Sequence, residues 1–146
     1  MASFGDQLRQ FADKTDDRVN LVVKKLVIDV GTRLVLRSPV GDPTYWQSPP
    51  PPGYVGGRFR ANWQYGLDDI DFKVTEAIDK AGSVTIGRIT QEVPSEASGH
   101  IHYITNSLPY SFRLEHGWSR QAPAGMVGLT ELEFEPIVRQ IAAELQ

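Results

Sequence analysis

Six prolines, Pro39, Pro43, Pro49, Pro50, Pro51 and Pro52, and four glycines fall within residues 38–57. Proline has no N–H to give a helix or an inner strand, and its ring fixes φ, so neither element runs through this segment. It must be a long loop. The run at 49–52 is expected to be stiff and extended, and a connection of this length inside a compact chain is usually functional or disordered. Tyr45, Trp46 and Tyr54 lie in or beside it. Three large aromatics left in solvent would be costly, and stiffness lowers the entropy lost when such an arm binds, so all three are candidate interface residues.

Ahead of the loop, apolar residues recur at Phe4, Leu8, Phe11, Val19, Val22, Leu26, Val30 and Leu34. Steps of three and four stack on one face of a helix, which predicts a long amphipathic helix over about residues 3–36. Thr15 occupies the one slot in that series that is not apolar. Followed by Asp16 and Asp17 it suits an N-cap and first turn, so a restart of the helix is expected there. A continuous helix would measure roughly 50 Å at 1.5 Å per residue, longer than a domain of this size is wide. Part of its stripe is therefore expected to face another subunit.

Behind the loop the pattern changes. Residues 58–67 alternate Phe59, Ala61, Trp63 and Tyr65 with polar neighbours, the period of a half-buried strand, which residues 68–75 would continue past a bend. From Ile78 onward, Ala81, Val84, Ile86 and Ile89 are read as a helix, ended by Pro94. Residues 100–105 alternate again, residues 106–109 can turn, and residues 110–115 look strand-like, so a hairpin is expected. A loop follows at residues 117–125. Met126, Leu129, Phe134, Ile137, Val138, Ile141 and Leu145 then keep helical spacing. Pro136 sits awkwardly in that run, which suggests a start near Glu133 or a strand in the first part. These elements sum to an α+β fold: a small, mainly antiparallel sheet packed by a long N-terminal helix and a C-terminal helix.

Length and composition set the class. A chain of 146 residues with 40% hydrophobic and 23% charged residues fits one ordinary globular domain. No stretch approaches the ~20 apolar residues of a membrane span, and the first eight residues lack the basic start and apolar core of a signal peptide, so folding in the cytoplasm and no membrane partner are expected. Without cysteine there is no disulfide framework and no thiolate zinc site. A net charge of -3 does not suit a protein that grips DNA by neutralising phosphates.

Chemical constellations are sparse. His100 and His102 would share one face of a strand, and His116 beside Glu115 could complete a metal site for a small hydrolase. No carboxylate stands at ligand spacing beside the first two, and three histidines in a chain of this length are ordinary. Asp68, Asp69 and Asp71 lack the glycine and ligand loop of a calcium motif and read as a solvated acidic turn. Ser107, Ser111 and Ser119 have no nucleophile-elbow context, and no glycine pattern makes a phosphate loop. No catalytic residue, metal or cofactor is expected. Arg58, Arg60 and Arg120 with Trp63 and Trp118 could stack on a single nucleic-acid strand, although contacts between subunits are the commoner fate of such residues. Trp118, in the loop Gly117-Trp118-Ser119-Arg120-Gln121, reads as an interface anchor or as a core residue of its own chain.

Two stretches form a known pattern: Gly57-Arg58-Phe59-Arg60-Ala61-Asn62-Trp63, and Tyr103-Ile104-Thr105-Asn106-Ser107-Leu108-Pro109-Tyr110 leading to Leu114-Glu115-His116-Gly117. They resemble the tail-completion, or neck, proteins of long-tailed double-stranded DNA bacteriophages. The continuation Trp118-Ser119-Arg120-Gln121-Ala122-Pro123-Ala124-Gly125-Met126-Val127 is similar to the version found in many proviruses, and with the flanking helices the resemblance covers nearly the whole chain. It departs at one place: the family's short turn before Gly-Arg is replaced by the proline-rich insertion, which loop-closure entropy tolerates because its cost grows only logarithmically. The resemblance implies an α+β subunit of a ring, a hexamer, set between the head connector and the tail tube, with other neck proteins and the tube protein as neighbours. A tail-terminator ring capping the tube is the sibling reading. DNA would pass through the lumen without tight binding, which the acidic balance suits. The expected location is the virion, after assembly in the bacterial cytoplasm. Arg58, Trp63, Tyr110, Glu115, Trp118 and Arg120 join the loop aromatics as candidate interface residues.

Overall fold

A computed structural model describes residues 3–42 and 49–145. The fold is α+β, with element order α1 (Phe4–Arg37), α2 (Arg58–Ala61), β1 (Trp63–Leu67), α3 (Ser83–Glu92), β2 (His102–Asn106), α4 (Ser111–Glu115) and α5 (Val127–Glu144).

Helix α1 begins with a capping box. The Ser3 hydroxyl accepts the Asp6 amide, and the Asp6 carboxylate accepts the Ser3 amide, so two donors at the helix start are satisfied reciprocally. The expected restart at Thr15 does not occur. The Thr15 hydroxyl donates to the Phe11 carbonyl one turn back, a bond available inside an unbroken helix, and the helix runs on through 34 residues. Its two halves have different surroundings. Residues 3–19 are all exposed, whereas Val27, Gly31, Leu34 and Val35 are buried. The apolar stripe Phe4, Leu8, Phe11 and Val19 also points elsewhere, roughly 140° around the axis from that buried face at ~100° per residue.

The buried half of α1 packs against α3 and α5. At Gly31 an added Cβ would stand 3.3 Å from side-chain carbons of both Ile89 and Ile104, so glycine allows α1 this close to α3 and β2. Along α5, Arg33 and Arg37 both pair with Glu133, and Arg37 also donates to the Thr130 hydroxyl. These cations lie near the C-terminal end of α1, where the helix dipole favours positive charge.

The sheet has two antiparallel strands, with Trp63 opposite Asn106, Tyr65 opposite Ile104 and Leu67 opposite His102. Three expectations are corrected here. Residues 58–61 form the short helix α2, and only Trp63 onward is strand; Phe59, Ala61, Trp63 and Tyr65 are all buried as the alternation implied. Residues 68–75 do not extend β1, because Asp68 turns the chain with φ 60 and its carboxylate accepts the Ile101 amide. β2 pairs with β1, and residues 111–115 are helix α4, so the expected local hairpin is replaced by a pairing between segments about 40 residues apart.

Helix α3 starts at Ser83, later than Ile78. The Asp79 carboxylate accepts the amides of Gly82 and Thr85 and the Thr85 hydroxyl, fixing the start. Helix α5 starts at Val127 and runs through Pro136, against the expected start near Glu133. Pro136 is exposed, so the carbonyl that loses its helical donor can turn to water. The core gathers Val27, Leu34 and Val35 of α1 with Phe59, Trp63, Tyr65, Ile89, Val93, Ala97, Leu108, Ala122 and Met126.

Candidate assembly surfaces

The Gly57–Trp63 block fastens the fold from within. Arg60 spreads its guanidinium over three carbonyls, those of Leu36 (2.9 Å), Ser38 (2.9 Å) and Lys80 (2.7 Å), and so satisfies acceptors freed where α1 ends. Trp63 is 3% exposed, and its indole N–H donates to the Ser38 hydroxyl at 2.7 Å, which donates in turn to the Leu34 carbonyl. Asn62, fully buried, donates to the carbonyls of Arg58 and Thr75 and accepts the Thr75 amide. Arg58 donates to the Thr75 carbonyl and pairs with Glu76 at 2.9 Å. Trp63 therefore presents no ring face to a base or to a second subunit, and Arg58 is engaged inside its own chain.

Glu115 is similarly turned inward. Its carboxylate accepts the amides of Met126 (2.9 Å), Val127 (2.8 Å) and Gly128 (3.1 Å), the first donors of α5, in place of a side-chain N-cap at Met126. Burial by itself would raise the pKa of this carboxyl, but the amides of Val127, Met126 and Gly128 outweigh it and hold the group below its ordinary value. Gly125 makes the approach possible. It has φ 80, and a Cβ there would run into both the carbonyl oxygen and the carboxylate of Glu115. Tyr110 is half in and half out, 38% exposed, with its ring 5.9 Å from that of Phe59.

The described residues on either side of 43–48 are pinched together. The Gln121 side-chain amide bridges both backbone groups of Val40, accepting its N–H at 2.9 Å and donating to its carbonyl at 2.7 Å. Gly41 and Gly56 approach so closely that a Cβ on Gly56 would meet the Gly41 carbonyl oxygen. Tyr54 packs its hydroxyl against Gly41 and stays 37% exposed. Residues 49–52 are exposed, while Tyr45 and Trp46 lie outside the described residues.

Among the described residues, large apolar side chains are exposed at several places, Phe72, Val84, Ile101 and Leu132 among them, and two such places concern the expected contacts. One is the N-terminal half of α1, where Phe4 is 75% and Phe11 71% exposed. The other surrounds α4 and the loop after it. Trp118 is 70% exposed beneath the Arg113 guanidinium at 4.7 Å, Phe112 is 73% exposed and stacks on His116 at 4.0 Å, and Arg120 is exposed beside them in sequence. Trp118, read as an interface anchor or a core residue, and Arg120, an interface candidate, are thus both exposed. Phe112 was not among the candidates, because residues 110–115 were read as strand.

Each of the three histidines is engaged by partners of its own. His100 donates from Nδ1 to Asp68 at 2.7 Å, and His116 donates from Nδ1 to the Phe112 carbonyl at 2.8 Å. His102 Nε2 donates to the Ala97 carbonyl at 2.8 Å, and its Nδ1 is hydrogen-bonded with the Tyr65 hydroxyl at 2.6 Å. That leaves His102 no free lone pair for a metal. Among the described residues no group of three or more His, Cys, Asp or Glu side chains is placed to hold a metal ion. Asp69 and Asp71 accept the nearby amides of Ile70 and Lys73, as in a solvated acidic turn. No described helix is long and apolar enough to cross a membrane.

The class defined by this arrangement is an α+β fold in which one long helix projects beyond the core. Comparison with protein-family models, with curated proteins and with solved structures found no match to this chain.

Proposed function

We propose that this chain is a structural subunit of the neck or tail of a long-tailed double-stranded DNA bacteriophage, which assembles with copies of itself into a ring that joins or completes the tail at the head connector. The observation that carries the reading is the exposed half of α1, a pre-formed helix whose apolar stripe is left uncovered by its own chain. A helix already formed before docking has less backbone entropy to lose, so it suits assembly. A head-to-tail ring requires a further surface on every subunit, and the exposed aromatics Phe112 and Trp118 are suited to one. The residue pattern from Gly57 to Trp63 and from Tyr103 to Val127 supports the phage neck as the setting, and the net charge of -3 suits a lumen through which DNA slides without being held. The test is immunogold electron microscopy of purified virions with antibody against this chain. Label at the head–tail junction is expected; particles that carry no label would contradict the reading.

A further inference from the structure

Residues 49–52 are four prolines in a row, all exposed. Each ring fixes its own φ, and a following proline bars the helical region to the residue before it. Pro49, Pro50 and Pro51 are therefore held in the polyproline II conformation. Pro52 carries the rod into a turn. The Tyr54 amide donates to the Pro51 carbonyl at 3.1 Å and Gly53 has φ 75, a type II turn whose first central position, Pro52, takes nearly the same backbone angles. Beyond the turn the Tyr54 hydroxyl packs against Gly41. The four prolines thus form one stiff rod, about 12 Å long at roughly 3.1 Å per residue, fixed at its C-terminal end by Tyr54.

The chemistry of this rod decides what can bind it. Its four residues have no N–H to donate to a sheet edge, and they carry no charge for a phosphate or a salt bridge. What they offer is pyrrolidine rings and carbonyl oxygens, and the carbonyls of Pro49, Pro50 and Pro52 meet no donor among the described residues. The matching surface is a groove walled by aromatic rings, with an indole N–H or a phenol O–H to reach the carbonyls. We propose that residues 49–52 are a preformed ligand for an aromatic-lined groove on a separate protein. The rod is stiff before it binds, so little chain entropy opposes docking.

Contiguity sets this segment apart from the other exposed apolar groups. Phe72, Val84, Ile101 and Leu132 each stand between polar residues in the sequence, as isolated apolar side chains on protein surfaces commonly do. The chain's own exposed aromatics do not make the groove. Phe112 is stacked on His116 at 4.0 Å and Trp118 lies beneath the Arg113 guanidinium at 4.7 Å, so these rings are partnered by a histidine and an arginine and are not set as facing walls. The contact is therefore distinct from a ring interface and does not rest on self-assembly.

A WW domain, whose groove is lined by aromatic side chains, serves as the probe. It would be titrated by calorimetry into full-length wild type, Pro50→Ala/Pro51→Ala and Phe72→Ala, and sedimentation would compare self-association of wild type and the double variant. Circular dichroism checks that the variants fold, as expected from the exposure of all three residues. Saturable binding to wild type and to Phe72→Ala is expected, with a dissociation constant raised roughly tenfold or more in the double variant and self-association unchanged. No saturable binding to wild type, equal affinity for the double variant, or loss of binding on Phe72→Ala would overturn the proposal. So would self-association that is lost with the two prolines, which would place the groove on a second copy.

Discussion

Glu115 gathers three amides from the first turn of α5, and no side chain at Met126 caps that helix start. Glu115→Gln is expected to cost about 1–2 kcal/mol at neutral pH, measured by urea unfolding. The pH dependence follows from the direction of the shift. The folded carboxyl lies below its ordinary value, so its stabilisation is complete above the unfolded pKa of about 4.3 and is lost as pH falls through the folded value. The gap between wild type and Glu115→Gln should therefore close in acid; a gap unchanged from pH 7 down to acid would refute the capping role. Glu115, Trp63 and Arg58 show what a residue pattern cannot reveal. Each is polar or aromatic at a position that reads equally well as a contact, and only the tertiary arrangement supplies the α5 amides, the Ser38 hydroxyl and the Thr75 carbonyl that engage them. For Trp118 the sequence left an interface role and a core role open, and the fold leaves the side chain 70% exposed.

Helix α1 was readable from its 3–4 spacing because that period persists over about nine turns, and a single threonine does not break a helix already propagating. α5 was readable for the same reason, apart from Pro136, whose exposed position lets the helix pass. α2 and α4 were not readable, since elements of four or five residues complete barely one turn and give no period to detect. The β1–β2 pairing was equally hidden: its register depends on segments brought together by the intervening α3 and the Asp68 turn. The two halves of α1 should respond differently to truncation. Leu34, 4% exposed in the core, is expected to lose about 2–5 kcal/mol on Leu34→Ala, whereas Leu8→Ala on the projecting half should change monomer stability by less than about 0.5 kcal/mol. Paired denaturation curves under monomeric conditions check this, and a comparable loss at both sites would mean that the projecting half packs on its own chain.

At the scale of the whole molecule, the polar interior is closed. Among the described residues every buried side-chain nitrogen and oxygen has a hydrogen-bond partner, and the Arg60, Asn62 and Asp79 networks leave the body tied together on its own account. Large apolar side chains lie outside, along the projecting half of α1, around Phe112 and Trp118, and at Phe72, Val84, Ile101 and Leu132. A body that is internally satisfied and externally incomplete suits a subunit that folds first and assembles afterwards. The most direct test is sedimentation of the full chain from roughly 1 to 100 µM, a range in which interfaces of standard size associate. A single closed species, several times the mass of one chain and constant once formed, is the expected result. A protein that sediments as one chain across the whole range would contradict the central claim.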